Sequence, residues 1–306
     1  MSYPDVTVSA VIPTRDRPVL LRRAIEGVLG QAGDALAEVI VVFDQSEPDT
    51  TLERLSTDIP IRVITNTRKP GLAGARNTGI EAATGTWVAF CDDDDAWCPD
   101  KLQQQVKTLA RNTDADFVVG GITIAYGERR IDRRTTLRQL TFRDLLRSRV
   151  MEAHPSTFLV RRSAILDAIG LVDEDLAGSY AEDYDWLLRA AKLRPVIVAE
   201  GATTVVRWHQ SSYFGNRWEM IDEALAHLVA KTPEFADEPR GLARILGQRA
   251  FAQAAMGRGG QAMHTAGRAL KLDWRQLRVY VTPVVAMRLI RADRLVRWAN
   301  AVGRGF

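Results

Sequence analysis

The chain has 306 residues, of which 46% are hydrophobic and 26% are charged, so it is a globular protein long enough to bury a large core. Its two cysteines, Cys91 and Cys98, exclude a disulfide framework and a four-cysteine zinc site. The net charge of +3 hides an asymmetry, because residues 241–306 carry eleven Arg and one Lys against two Asp, a net +10, which leaves −7 for the rest.

The first 120 residues alternate between short apolar runs and helical patterns. The predicted strands are 6–12, 38–43, 61–64 and 87–91, and the predicted helices are 18–31, 50–55, 73–83 and 99–111. This order predicts an α/β fold with an open, mostly parallel sheet and helices on both of its faces.

The remainder divides into a mixed and a helical part. Strands are predicted at 117–124 and 195–206, and helices at 142–147, 162–169 and 182–193. After about residue 218 the pattern is almost wholly helical, with a helix hairpin over 244–256 and 261–270. The N-terminal residues carry no basic leader and no uncharged stretch reaches the roughly 18 residues of a membrane span. We therefore expect a cytoplasmic protein.

Polar residues follow all four predicted strands of the first half. Residues 13–16, 44–45 and 66–71 follow the first three strands, and four consecutive aspartates, Asp92 to Asp95, follow the fourth. Ligands collect where parallel strands end, so these residues predict a binding site along one rim of the sheet.

The four aspartates predict a metal site, because neighbouring carboxylates repel each other unless a cation or a helix N-terminus neutralises them. Carboxylate oxygens suit Mg²⁺ or Mn²⁺, and so few protein ligands suit an ion completed by substrate phosphates. A calcium EF-hand is excluded, since Trp97 and Gln103 stand where that loop needs Gly and Glu. The alternative is a solvated acidic turn that caps the next helix.

Common phosphate-binding loops are missing from the sequence. There is no GxxxxGK[ST] segment, and GLAGARNTG at 71–79 lacks the dinucleotide spacing. Ordinary kinases and dehydrogenases are therefore excluded, which leaves a diphosphate held by a metal ion and by arginine, with Arg76 as a candidate fork for an oxyanion.

Five segments together resemble the family 2 glycosyltransferases. They are VSAVIPTRDRP, VIVVFDQSEPDTT, GLAGARNTGI, FCDDDDAWCPDKL and AEDYDWLLR, in the family's order over roughly residues 5–210. The resemblance implies the GT-A fold, which is Rossmann-like, followed here by a C-terminal helical region. It implies a GT-A domain over 1–215, with a nucleotide-binding half at 1–120 and an acceptor half at 121–215, and a basic helical region over 216–306.

The resemblance also implies roles for individual residues. The nucleotide-binding set is Pro13, Thr14, Arg15, Asp44, Arg76, Asp92 and Asp93. The metal set is Asp94, Asp92 and His209, and the acceptor or sugar side consists of Trp97, His154, Glu182 and Trp208. Because the four aspartates are consecutive, the assignment of these roles to Asp92–Asp95 could shift by one residue.

Asp183 is implied as the general base of an inverting transfer. It would deprotonate an acceptor hydroxyl, which attacks the anomeric carbon opposite the leaving nucleotide diphosphate. Ser179 and Glu182 also form a capping-box pattern at the start of an apolar helix, so a helix cap is the alternative role for this pair of acids.

The basic tail has two interpretations. Arg288, Arg291, Arg294 and Arg297 recur in a helical stretch after Pro283, opposite an apolar arc. Such a helix could lie on an anionic membrane, or it could pack on the helix hairpin or on a second subunit of a homodimer. No nucleic-acid-binding motif accompanies these arginines, so nucleic acid is not expected as a partner.

The sequence therefore predicts a metal-dependent, inverting glycosyltransferase that uses Mn²⁺ or Mg²⁺. UDP is the expected nucleotide of the donor, although dTDP or GDP would leave much the same pattern. The acceptor would be a hydroxyl on a carbohydrate, a lipid-linked sugar or another glycoconjugate, in the cytoplasm or at the inner face of the membrane. The alternatives are a nucleotidyltransferase, disfavoured because residues 14–17 lack its glycines, and a catalytically dead sugar-nucleotide-binding scaffold.

Overall fold

The computed structural model describes residues 6–208 and 217–301. The strands are β1 (Val8–Thr14), β2 (Leu36–Phe43), β3 (Ile61–Thr65), β4 (Trp87–Phe90), β5 (Ala96–Trp97), β6 (Phe117–Tyr126), β7 (Arg129–Arg133), β8 (Gln139–Leu140), β9 (Leu159–Arg161) and β10 (Val196–Arg207). The α-helices are α1 (Pro18–Leu29), α2 (Leu72–Ala82), α3 (Lys101–Arg111), α4 (Phe142–Arg147), α5 (Arg162–Ala164), α6 (Glu182–Leu193), α7 (Trp218–Lys231), α8 (Pro239–Ala255), α9 (Gly259–Leu272), α10 (Leu277–Ala286) and α11 (Ala292–Ala301).

Shorter helical turns complete the chain. They are 3₁₀ turns at Thr50–Arg54, Pro155–Thr157, Ala177–Ser179 and Pro233–Asp237, and a π-turn at Ile165–Ile169 that continues α5. The described chain divides into two compact units, the first of residues 6–145, 150–174 and 182–208, and the second of 146–149, 175–181 and 217–301.

The first unit is built on one sheet. Its strand order is β3-β2-β1-β4-β9-β6-β10-β5, with β7 beside β6 and β8 beside β10. Strands β3, β2, β1 and β4 run parallel, and β10 is parallel to β6, whereas β9 joins the two groups antiparallel to both. The α/β fold class is confirmed.

The parallel strands are buried on both faces, which explains their nearly continuous apolar runs. Every residue of β1 is buried, and its core neighbours come from α1, β2 and β4. Pro18 starts α1 at a position where its missing N–H costs nothing, and Leu21, Ile25 and Val28 fill the inner face of that helix.

Two glycines let α2 lie close to its neighbours. A Cβ on Gly74 would stand 2.0 Å from the carbonyl oxygen of Lys69, and one on Gly79 would stand 2.3 Å from Val11 Cγ1. A larger residue at position 79 would push α2 away from β1, and one at position 74 would collide with the loop that precedes the helix, so these glycines fix the position of the GLAGARNTG segment.

The second unit is helical. Helices α8, α9 and α10 bury Leu246, Ala250, Ala266, Ala269 and Val279 in one cluster, and a second cluster joins α8 to α11 through Phe251 and Ala292. The predicted hairpin of α8 and α9 is confirmed. Within the described residues of the chain, none of the helices combines the length and apolar character that a membrane span requires.

The structure corrects the prediction of one basic helix after Pro283. Helix α10 ends at Ala286, and α11 begins only at Ala292, so the four arginines do not lie on a single helix. Arg288 has a φ of 59°, a left-handed conformation that few non-glycine residues adopt, and it turns the chain between the two helices.

Candidate active site

The acid loop, residues 92–95, continues from β4 beside the end of β1. The hydroxyl of Thr14 donates to Asp93 Oδ2 at 2.8 Å. Arg17 Nη1 donates to Asp93 Oδ1 at 3.0 Å and to Asp94 Oδ2 at 2.9 Å. Burial tends to lower the pKa of Arg17, but the two carboxylates outweigh it and raise that pKa. An arginine of the chain therefore neutralises the outer part of the acid loop.

The buried side chain of Asp95 holds the acid loop in place through hydrogen bonds. Its side chain is 2% exposed, and it accepts hydrogen bonds from Ser156 Oγ at 2.6 Å and from the backbone N–H of Arg207 at 3.2 Å. The backbone N–H of Asp92 in turn donates to Ser156 Oγ at 3.0 Å. Burial and the neighbouring carboxylates raise the pKa of Asp95 well above its usual value. Ser156 thus fixes both ends of the acid loop to the sheet.

Arg76 connects the acid loop to the start of α6. Its Nη2 donates to Asp92 Oδ1 at 2.6 Å, and its Nη1 donates to Glu182 Oε1. Burial alone would lower the pKa of Arg76, but the charges of Asp92, Glu182 and Asp183 outweigh it and raise the pKa. The guanidinium is 3% exposed and contacts these two carboxylates, and its contact with the donor stays a prediction.

Glu182 and Asp183 occupy the first turn of α6, and both are buried. Acidic side chains are stabilised there by the helix dipole, so the capping interpretation accounts for their position as well as a catalytic one. What the helix dipole does not explain is the shared Arg76, which brings this turn and the acid loop into one charged cluster.

Asp44 organises the loop that precedes α2. Its carboxylate accepts from Asn66 Nδ2 at 2.8 Å, from the backbone N–H of Gly71 at 3.1 Å, and from Gln45 Nε2 at 3.0 Å. Gly71 has a φ of 130°, which suits glycine. Asp44 lies at the rim as expected, where it holds the backbone of the neighbouring loop, and its contact with a nucleotide stays a prediction.

The other predicted residues are spread more widely. Pro13 is buried at the end of β1, and Arg15 is exposed, with its Nε 3.9 Å from Asp16 Oδ2. Trp208 is half-buried against the cluster of β6 and β10. His209 lies outside the described residues.

Trp97 does not fit the place on the acceptor or sugar side that the resemblance implied. Its side chain is buried in the core, and its indole N–H donates to the carbonyl of Phe90 at 3.1 Å. One ring face is covered by the Lys101 ammonium, 4.1 Å from the ring centroid. A ring held in this way packs the core and does not offer a face to a sugar.

The structure groups three possible metal ligands that the sequence did not predict together. One ligand atom each from Asp92, Asp95 and His154 lie within 4.8 Å of one another. Two carboxylates and an imidazole form a donor set that suits Mn²⁺ and other borderline ions. His154, expected on the acceptor side, has its Nδ1 3.5 Å from Asp95 Oδ2, and that nitrogen accepts from the backbone N–H of Ser156.

Three functional neighbours were missed by sequence reasoning. Arg17 lies in the VSAVIPTRDRP segment and Ser156 follows His154 by two residues, but nothing in their spacing indicated an acidic partner 76 or 61 residues away. Lys101 is fully buried, its ammonium donates to Gln105 Oε1 at 2.7 Å, and burial lowers its pKa to about 7. A lysine at the start of an amphipathic helix gives no sequence signal of such burial.

The chain is similar in sequence to known glycosyltransferases. The family model "Glycosyl transferase family 2" matches residues 9–168. The chain is 30% identical over 145 residues to the UDP-Glc:alpha-D-GlcNAc-diphosphoundecaprenol beta-1,3-glucosyltransferase WfgD of Escherichia coli, which covers 47% of this chain and 56% of that one. It is also 30% identical over 188 residues to the uncharacterized glycosyltransferase YwdF of Bacillus subtilis, covering 60% of this chain and 68% of the relative. The chain thus spans between half and about two thirds of the length of these two relatives.

Solved structures share the fold. S. aureus TarS 1–349 in complex with UDP superimposes with a TM-score of 0.63 at 16% identity, covering 97% of this chain and 92% of that one. The same protein in complex with UDP-GlcNAc gives a TM-score of 0.63 at 18% identity, covering 98% and 93%.

Proposed function

Because the chain belongs to glycosyl transferase family 2 and has the GT-A fold, we propose that it transfers a sugar from a nucleotide-diphosphate donor to an acceptor hydroxyl with inversion of configuration. The observation that carries this proposal is the buried Arg76, whose two terminal nitrogens bind Asp92 of the acid loop and Glu182 beside Asp183. Family membership disfavours the nucleotidyltransferase alternative.

Asp183 is proposed as the general base. Its carboxylate would take the proton of the acceptor hydroxyl, whose oxygen then forms a bond to the anomeric carbon while the bond to the donor phosphate breaks. The electron pair of that bond leaves with the nucleoside diphosphate. The charge of Asp183 contributes to the raised pKa of Arg76, so the two groups lie close enough to interact.

A divalent ion, Mn²⁺ or Mg²⁺, is proposed at the acid loop. The fit is supported by Arg17, a cation of the chain that already bridges Asp93 and Asp94 at this place. Asp92 and Asp94 are each about one-fifth exposed and can face a ligand, so they are the proposed ion-binding pair. The alternative is the Asp92, Asp95 and His154 group. When bound, the ion would stabilise the negative charge of the leaving diphosphate.

Asp95 is the weaker candidate for an ion ligand. Both of its carboxylate oxygens accept hydrogen bonds from Ser156 and Arg207, and the side chain is almost wholly buried. Coordination would require the loss of these bonds or a crowded additional ligand. We therefore assign Asp95 and Ser156 to holding the loop in shape.

UDP is proposed as the nucleotide of the donor. Support comes from the similar proteins, since the E. coli relative is named for UDP-Glc and the S. aureus structures contain UDP and UDP-GlcNAc. The proposed nucleotide contacts are the β1 end, Asp44 and Asp93. The proposed acceptor is a carbohydrate or lipid-linked hydroxyl, because the E. coli relative is named for a diphosphoundecaprenol-linked sugar. A cytoplasmic enzyme at the inner face of the membrane would meet both substrates.

The test combines a binding panel with one substitution. Thermal shifts with UDP, dTDP and GDP, each with and without Mn²⁺, identify the donor class, because a ligand of the folded state raises the melting temperature. Asp183→Asn should lower turnover by about 10²- to 10⁴-fold while the UDP shift is retained. Glu200→Gln, which removes an exposed carboxylate, is the matched control. Undiminished turnover in Asp183→Asn would refute the base assignment, and release of pyrophosphate instead of nucleoside diphosphate would refute the reaction.

A further inference from the structure

Helix α10 has apolar side chains on two opposite faces. Val279, Thr282 and Val285 are buried against the helices of the second unit. On the other side, Leu277 is 72% exposed and Tyr280 is 54% exposed. A helix on the surface of a globular protein normally turns polar residues outward, so this second apolar face calls for a partner.

The exposed apolar face continues beyond the end of α10. Leu277, Tyr280 and Met287 follow one another at helical spacing, and Met287 leads into the turn that Arg288 makes between α10 and α11. Leu289 in that turn is 70% exposed. Trp274, just before the helix, is also exposed, and its carbonyl accepts a hydrogen bond from the Tyr280 hydroxyl at 2.7 Å.

Arginines surround these apolar side chains. On α11, Ala292, Leu295 and Val296 pack inward, whereas Arg294, Arg297 and Trp298 are exposed. Residues 274–298 contain six arginines and a single acid, Asp293. The second unit therefore exposes basic and apolar side chains close together in the chain, and Arg291 is paired with Asp293. We call this set the basic-aromatic face and define it by these residues: Trp274, Leu277, Tyr280, Met287, Leu289, Ile290 and Trp298 with Arg275, Arg291, Arg294 and Arg297.

We propose that the basic-aromatic face binds the surface of a bilayer that contains anionic lipids. Arginines would contact the phosphate headgroups, while the tryptophans, Tyr280 and the aliphatic side chains would enter the boundary between headgroups and acyl chains. This combination of charge and amphipathic rings matches the chemistry of a lipid–water interface.

A second copy of the chain fits this face less well. The cores of protein interfaces are poor in charged residues, and a symmetric pair would bring Arg294 and Arg297 of two copies towards each other. Nucleic acid would neutralise the arginines but would leave the apolar side chains in water. The positive charge of the face complements an anionic bilayer, and the apolar side chains can enter that bilayer, so one partner accounts for both features.

The experiment is co-sedimentation of the full chain with vesicles of phosphatidylcholine, with and without phosphatidylglycerol. We expect binding only to the anionic vesicles, weakening as salt increases. Arg291→Gln, Arg294→Gln and Arg297→Gln should each weaken partitioning about fivefold. Leu277→Ser with Leu289→Ser should reduce it at least as strongly, because the apolar contacts are lost.

The controls remove equivalent groups elsewhere. Arg129→Gln and Leu193→Ser lie on exposed positions of the first unit and should partition like the unchanged chain. Circular dichroism confirms that each variant is folded. Because no step requires turnover, the result is separate from that of the proposed reaction. The proposal would be overturned if the chain failed to bind anionic vesicles or if all variants bound them equally. It would also be overturned by a dimer that dissociates in Leu277→Ser, because that result would assign the face to a second copy.

Discussion

Lys101 is a fully buried lysine whose pKa is lowered by burial, and its replacement has a calculable effect. The side chain is fully buried, and burial lowers its pKa from an ordinary value of 10.5 to about 7. An unfolded chain holds this proton up to about pH 10.5, whereas the folded chain releases it near pH 7. Between these values the unfolded state binds more protons, so the free energy of unfolding rises with pH. Below about pH 7 the penalty for burying the charge is complete.

The magnitude follows from the shift in the pKa. The interval from about 7 to 10.5 corresponds to about 5 kcal/mol, at about 1.4 kcal/mol for each pH unit. The Trp97 ring, 4.1 Å from the ammonium, stabilises the charged form by about 1–2 kcal/mol. We therefore expect the Lys101 side chain to contribute a rise of about 3–4 kcal/mol in unfolding free energy across this pH range.

The assay is urea unfolding of the unchanged chain and of Lys101→Met between pH 6 and pH 10. Methionine has a similar volume and no charge. The free energy of unfolding of the unchanged chain, relative to that of Lys101→Met, should therefore rise by several kcal/mol as the pH rises. Lys101→Met also removes the hydrogen bond to Gln105, which is stronger with the charged lysine and therefore works against the rise with pH. Lys107→Met, on the exposed side of α3, is the control and should show no such slope. A difference independent of pH for Lys101→Met would refute this reasoning.

Three further predictions concern the charged cluster. Arg17→Gln should bind Mn²⁺ about three- to tenfold more tightly, measured by electron paramagnetic resonance without donor, because a competing cation is removed. The control is Arg22→Gln, on the helix that follows Arg17. Unchanged affinity in Arg17→Gln would contradict the competition. Asp94→Asn should weaken Mn²⁺ binding more than His154→Gln does, and the reverse order would move the ion to the Asp92, Asp95 and His154 group. Arg76→Met should lower the free energy of unfolding by about 3–5 kcal/mol, measured in urea, since buried carboxylates lose their partner, and a loss below about 1 kcal/mol would show that they are solvated.

The sheet was predictable where its strands are long and buried on both faces. The predicted strands at 38–43, 61–64 and 117–124 lie within β2, β3 and β6, because such strands are runs of Val and Ile bounded by polar residues. Strands β5 and β8 have two residues each and carry no periodicity. β7 is a polar segment, Arg129–Arg133, that pairs only with β6, so its strand character comes from hydrogen bonds and not from its own sequence.

The place of the site was predictable, but its internal contacts were not. Parallel strands bring their carboxyl ends to one rim, and this rule alone put Thr14, Asp44 and the acid loop together. The partner of a charged side chain depends on the packing of distant segments. Arg76 meets Glu182 across 106 residues, and nothing in the local pattern of α2 distinguishes an arginine that binds a donor from one that is buried between carboxylates.

The acid loop also shows why a charge pattern alone does not establish a metal site. Four adjacent carboxylates seemed to require a divalent ion, yet each has a partner from the chain: Arg76 for Asp92, Thr14 and Arg17 for Asp93, Arg17 for Asp94, and Ser156 with the Arg207 backbone for Asp95. Protein groups therefore shape the loop and offset part of its charge, so the four carboxylates do not by themselves require a divalent ion.

An ion must then compete with these partners, and the competition differs along the loop. Arg76 is 3% exposed and would leave two carboxylates uncompensated if it moved, whereas Arg17 is 41% exposed and can be rehydrated at little cost. Displacement is therefore easiest at Asp94, where Arg17 is the cation to be replaced. On this argument the ion would displace Arg17 at Asp94, while Arg76 keeps Asp92 in place and Ser156 keeps the buried Asp95 in place.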